Sequence, residues 1–114
     1  MDEIRKRIKS DDVDKTVNIE KQNRHIRGTY EYTEWRSYLL DDVDAQELVD
    51  RYHGTGRPER AKSGMWTNKE TIIADRNIGI NVDPDTHVET ITNRFTIHYS
   101  NTGTHVVPAR PARR

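Results

Sequence analysis

The apolar periodicity of this chain changes at Gly54-Thr55-Gly56-Arg57-Pro58, and that change divides what each half can become. Before the breaker, apolar residues recur at about 3.6-residue spacing; after it they alternate with a period of about 2. Ala45, Leu48, Val49 and Tyr52 share one helical face, acidic residues gather near the start of the stretch where the helix dipole favours them, and Gly54 stands at the stop position. Tyr32, Trp35, Tyr38 and Leu39 have the same spacing, and the Thr29 hydroxyl is placed to satisfy an early backbone N–H. A second helix is therefore predicted over residues 30–40. Residues 1–18 mix both charge signs around Ile4 and Ile8 and read as a frayed helix or linker arm.

Beyond the breaker, Thr71–Ala74 and Ile78–Val82 are short β-rich runs separated by Asp75-Arg76-Asn77, and Asp83-Pro84-Asp85-Thr86 is turn chemistry. Val88–Thr92 continues the pattern. Arg94–Tyr99 alternates cleanly, with Phe95, Ile97 and Tyr99 on one face and Arg94, Thr96 and His98 on the other. Ser100-Asn101-Thr102-Gly103 connects into Thr104–Val107, where Pro108 ends pairing. Only the segment 57–69 is loosely patterned. Helices first and strands second give an α+β fold class, with N-terminal helices packed on a C-terminal antiparallel β-meander.

The core must be small. Leu, Ile, Val and Phe make up 22 of the 114 residues, but the net charge is +0, so self-repulsion does not oppose collapse. One globular unit over 19–109 is expected, between the arm at 1–18 and a loose basic tail at 110–114. The absence of cysteine excludes disulfides, thiol catalysis and the common structural zinc sites together. No apolar run approaches the ~18 residues of a membrane-spanning helix. The charge-mixed start, Asp2-Glu3-Ile4-Arg5-Lys6-Arg7, has no apolar stretch of the secretory kind.

The neutral total conceals a segregated distribution. Basic residues cluster at Lys21, Arg24 and Arg27, at Arg57, Arg60, Lys62 and Lys69, and in the tail; acidic ones at Asp41–Asp50 and Asp83–Glu89. A basic face attracts phosphate. Five histidines are present. His53 at a helix end and His87 in a turn read as capping or surface residues. His25 lies in the polar, basic run Lys21-Gln22-Asn23-Arg24, and His105 opens a strand beside Ser100, Thr102 and Thr104. Asp83 and Asp85 are explained by their turn, and no HExxH, P-loop, GxGxxG, GxSxG or EF-hand pattern occurs, so metal-assisted and phosphate-loop chemistries find little support. A histidine pair needs no metal to cleave RNA: a neutral imidazole takes the 2′-hydroxyl proton and an imidazolium protonates the leaving 5′-oxygen. A Ser100 or Thr104 nucleophile would need a carboxylate partner that the sequence does not identify.

Three motifs, Lys21-Gln22-Asn23-Arg24-His25-Ile26-Arg27-Gly28-Thr29, Glu47-Leu48-Val49 through Gly54-Thr55-Gly56, and Tyr99–Pro108, together resemble the polymorphic toxin type 50 family, also called bacterial toxin 50. The likeness spans about residues 19–109. It implies a ribonuclease toxin of the barnase, EndoU, colicin and RelE superfold, carried at the C-terminus of a larger secreted effector and acting in the target-cell cytoplasm; similar domains also end some phage head proteins. The resemblance places His25, His105, Lys21, Ser100 and Thr104 among catalytic residues, with Gln22, Trp66 and His98 beside them as candidate substrate contacts. Arg24 and Arg27 of the first motif join that second group through their charge. His25 and His105 become acid and base in unassigned order, with Lys21 on the scissile phosphate. No cofactor and no metal are expected. The expected partners are the RNA substrate and a cognate acidic immunity protein. The competing reading is a non-catalytic RNA- or protein-binding module at the end of a phage structural or surface protein; a third is a metal-dependent DNase built on Asp83, Asp85 and the histidines.

Overall fold

A computed structural model describes residues 3–111. Among them are three short helices, α1 (Glu3–Ile8), α2 (Ile19–Asn23) and α3 (Ala45–Tyr52), and seven strands: β1 (Tyr38–Leu39), β2 (Arg57–Arg60), β3 (Trp66–Ile73), β4 (Gly79–Val82), β5 (Glu89–Thr92), β6 (Arg94–His98) and β7 (His105–Pro108). The strands form two antiparallel sheets, one ordered β1-β4-β5 and the other β2-β3-β6-β7. This corrects the expected α+β arrangement of N-terminal helices packed on one C-terminal meander, of the barnase/EndoU/colicin/RelE kind. The helices are too short to form a layer, and the strands do not follow one another in a single sheet. The tail residues 112–114 lie outside the described residues.

The α3 expectation holds. The Asp44 side chain accepts from the Gln46 N–H, Ala45, Leu48 and Val49 are buried, and Gly54 adopts φ 76° just beyond the end. The helix expected over 30–40 is absent, for a local reason. The Thr29 hydroxyl donates backward to the Asn23 and Ile26 carbonyls, closing α2 instead of opening a new helix. The aromatic rings whose spacing looked helical do not form a helical stripe: Tyr32 meets Tyr38 edge-on, and Trp35, at φ 73°, stacks on the distant His87. The Leu39 and Leu40 N–H groups donate to His25 and Ile78 carbonyls, which turns this stretch into the edge strand β1.

Between the two sheets the chain changes partners at one residue, Asn93. Ile78 N–H donates to the Thr92 carbonyl on one side, while Ala74 N–H donates to the Asn93 carbonyl on the other. The Thr92 hydroxyl, buried, accepts from Arg94 N–H. The hairpin β4–β5 is therefore an insertion between β3 and β6, which pair with each other.

The inward face of the larger sheet carries Ile72, Phe95, Ile97, Tyr99 and Val106, packed with Leu48 and Val49 of α3, Ile8 of α1 and Val13. Ile8 and Val13 are thus core residues although they lie in the mixed-charge N-terminal stretch. Glu70 sits among them with no exposure. Its carboxylate accepts from the Gly54 N–H (3.0 Å), the Gly56 N–H (2.8 Å) and the Tyr99 hydroxyl (2.7 Å), which binds the loop after α3 to the sheet. Burial, then the neighbouring Glu70 carboxylate, pushes the Tyr99 phenol above its ordinary range.

Candidate active site: three stacked imidazoles

The site is assembled where α2 is pinned to the hairpin of β6 and β7. Val17 and Thr104 form a parallel bridge, and Asn18 N–H donates to the Thr104 carbonyl at 2.9 Å. The Asn18 side chain caps α2 by accepting from Lys21 N–H and donates to the Thr102 carbonyl. One turn later, Gln22, almost fully buried, donates to the Val106 carbonyl (2.9 Å) and accepts from the Val106 N–H (2.7 Å). A side-chain amide here completes a strand's hydrogen bonding as a backbone would. Gly103 is required at the crossing: at φ 106° it brings the hairpin so close that a Cβ would lie 2.7 Å from the Asn18 Cβ.

These contacts fix Lys21 and His25, four residues apart on one side of the helical turn. The Lys21 ammonium donates to the Thr102 hydroxyl (2.6 Å) and the Ser100 hydroxyl (3.3 Å) in the hairpin loop. His25 stacks on His105 with ring centroids 5.9 Å apart and planes 9° from parallel. His105 stacks in turn on His98, its direct cross-strand partner, at 4.7 Å and 26°. Three imidazoles, from the turn after α2, from β7 and from β6, thus form one column.

The rings are not equivalent. His25 Nδ1 lies 2.9 Å from the Ser37 carbonyl; because a carbonyl only accepts, Nδ1 carries the proton and Nε2 of the neutral ring keeps a lone pair. His105 Nδ1 is buried without a hydrogen-bond partner. Burial lowers the His25 pKa, with smaller contributions from Arg36 and Arg24, and the Ser37 carbonyl opposes it. His98 and His105 are both lowered to about 4, by burial first and then by neighbouring positive charge: Lys69 and His25 on His98, and His98, His25, Lys21 and Arg24 on His105. Every charge acting on the column is cationic. An entering anion therefore meets Lys21 and Arg24 and favours protonation of the rings.

Depressed imidazole pKa values have a consequence for stability. The unfolded chain binds protons near pH 6.5 and the folded one only as the pH nears about 4. Stability should be complete above about pH 6.5 and fall as the pH drops through that window, by ~1–2 kcal/mol for each of His98 and His105 once solvent screening of these partly exposed rings is allowed for. Urea unfolding at pH 7.5, 5.5 and 4.5 measures this. A His98→Gln/His105→Gln double variant should show a shallower loss, and an equal slope would contradict the assignment.

Of the residues expected from sequence, His25, His98, His105, Lys21 and Ser100 are brought together, with exposed Arg24 alongside. Thr104 is fully buried and its hydroxyl donates to the Asp14 carbonyl; with Gln22 it holds the site in place from behind. Arg27 is engaged elsewhere, over the Tyr38 ring at 4.8 Å and donating to its hydroxyl. Trp66 tilts against Tyr99 on the other side of the sheet, its indole N–H donating to the Lys69 carbonyl. Asp83 accepts from the Asp85 and Thr86 N–H groups and from Arg110, as a turn residue does. Among the described residues no group of three or more His, Asp or Glu side chains is placed to hold a metal ion, and no helix is long and apolar enough to cross a membrane.

Thr102, named from sequence only as a hydroxyl beside His105, supplies the shorter of Lys21's two contacts, and Lys69 of the second basic cluster stands beside His98 across β3 and β6. The Ser37 carbonyl, which sets the His25 tautomer, was not anticipated. A carbonyl in an irregular loop leaves no trace in residue types.

No curated protein matches the chain. A family model described as bacterial toxin 50 does match, over residues 17–108, which takes in α2, the hairpin and all three stacked histidines. On that match the chain belongs to the bacterial toxin 50 family and is a toxin domain.

Proposed function

We propose that this toxin domain is a metal-independent endoribonuclease in which His25 is the general base and His105 the general acid. The carrying observation is that two imidazoles distant in sequence stack 5.9 Å apart beside a lysine. The tautomer at His25 favours it as base, because its free Nε2 lone pair is set by the Ser37 carbonyl. In the proposed step Nε2 of His25 takes the 2′-hydroxyl proton and O2′ attacks phosphorus in line. The 5′-oxygen leaves with a proton from the His105 imidazolium, and a 2′,3′-cyclic phosphate remains. Lys21 and Arg24 hold the phosphoryl oxygens, where loss of one such charge-stabilising donor typically costs ~3–4 kcal/mol of barrier. The incoming phosphate also supplies the negative charge that raises the His105 pKa toward a working acid.

Purified domain incubated with total RNA in EDTA should cut it and leave cyclic phosphate ends, and an oligonucleotide with a single 2′-deoxy residue should resist at that site. A strict divalent-ion requirement, or cleavage of the linkage on the 3′ side of the deoxyribose, would sink the mechanism. The same reading places the site of action in the target-cell cytoplasm, after delivery as part of a larger effector. It also gives the producing cell an acidic immunity protein that covers the cationic cluster, checked by co-purification with the product of the adjacent gene.

A further inference from the structure

The sheet face that bears His98 and His105 continues past them. Directly paired residues of antiparallel strands project to the same side, so Lys69, His98 and His105 form one row across β3, β6 and β7. Two residues along the strands the next row is Arg57, Thr71, Thr96 and Val107, and the third is Ile73 with Arg94. Ile73 is 62% exposed, so the face is open to water at its far end. Of the carboxylates on these four strands, Glu70 points into the core and Glu59 sits at the bulge between Pro58 and Arg60. The side chains of Arg57, Lys69 and Arg94, and the hydroxyls of Thr71 and Thr96, make no hydrogen bond or ion pair among the described residues.

Unpaired cations and free hydroxyls are the groups that hold phosphate and sugar oxygens. Apart from the imidazoles the three rows contain no aromatic ring on which bases would stack and no side-chain amide to read them. From the first row to the third is four residues, about 13 Å of strand, or roughly four nucleotides at stacked spacing. We propose that this face is a track for the sugar-phosphate backbone of single-stranded RNA on one side of the scissile linkage, with Lys69, Arg57 and Arg94 as phosphate contacts, a role that rests on the ribonuclease reading above. In-line attack by O2′ needs a linkage free of helical constraint, which favours a single strand over a duplex. Binding through the backbone makes the track indifferent to base sequence.

The test compares a dinucleotide with a ten-nucleotide RNA as substrates of the wild-type domain and of an Arg57→Gln/Arg94→Gln double variant. The wild-type domain should use the longer RNA at least about tenfold better in kcat/KM. The double variant should lose most of that gain through a higher KM, with kcat for the ten-nucleotide RNA within about twofold of wild type. In a His105→Ala background, binding of the same RNA should show a log K against log salt slope smaller by about 1.4 once the two arginines are removed. A length gain and a salt slope both unaltered in the variant overturn the track and leave this face to an acidic protein surface. A domain that cuts neither substrate overturns the ribonuclease reading and the track with it.

Discussion

Replacing His105 by Ala should lower RNA cleavage by about 10²–10⁴-fold, and His25→Ala should do the same, with the unfolding midpoint at neutral pH almost unmoved. Each removes one partner of the proton transfer, so the double variant should be little worse than either single one, as for residues that act as a unit. A ring that serves only as packing would instead show its loss in stability. The pH dependence follows from the same geometry. His105 is protonated below about 4 in the free protein and the His25 pKa lies below its usual 6.5. The product of a protonated acid and a deprotonated base is largest between those limits, so kcat/KM should peak between about pH 4 and 6.5 and decline as the pH rises further. Unchanged cleavage by either variant, or a kcat/KM that climbs steadily from pH 6 to 9, removes the acid–base assignment.

The largest effect on stability is expected at Glu70. Glu70→Leu keeps a side chain of comparable size but strands the N–H groups of Gly54 and Gly56 and the Tyr99 hydroxyl in the interior. Each orphaned donor costs about 1–3 kcal/mol, so a total of about 3–9 kcal/mol is expected against a typical domain stability of about 5–15 kcal/mol. Glu70→Gln should cost less, because one oxygen still accepts while the new amide N–H₂ faces a donor. Tyr99→Phe should cost least, since it removes only one bond. Urea midpoints for the three variants should fall in that order, and a stable Glu70→Leu domain would mean that the loop after α3 is not held by this carboxylate.

Legibility in the sequence followed the locality of the cause. α3 was plain because its cap, its apolar face and its stop lie within eleven residues, Asp44 to Gly54. β6 was plain because alternation of Phe95, Ile97 and Tyr99 with Arg94, Thr96 and His98 is a property of the strand alone. The segment 57–69 looked unpatterned although it contains β2 and half of β3, because Pro58 is buried within a strand and a carboxylate, Glu70, occupies a core position just beyond it. The helix at 30–40 failed because aromatic spacing does not distinguish a buried helical stripe from rings stacked on neighbours distant in sequence, as Trp35 is on His87.

At the site, motif context pointed to His25, His105 and Lys21, and the alternation of β6 left His98 on the polar face. Their meeting was beyond the sequence, since it depends on Gln22 completing the backbone of Val106 and on the bridge between Val17 and Thr104. Thr104 shows the limit clearly: its residue type and neighbours suit a reactive hydroxyl, and only the parallel bridge reveals that the hydroxyl faces the Asp14 carbonyl.

The clamp between Gln22 and β7 also sets when the cluster comes into being. The helix that carries Lys21 and leads into His25 has only five residues, too few to persist alone, and its anchor is Val106, 84 residues beyond Gln22. During synthesis the early imidazole therefore has neither a fixed orientation nor a stacking partner until the seventh strand joins its sheet. A chain interrupted before that strand holds Lys21, His25 and His98 but neither His105 nor the contact that orients them.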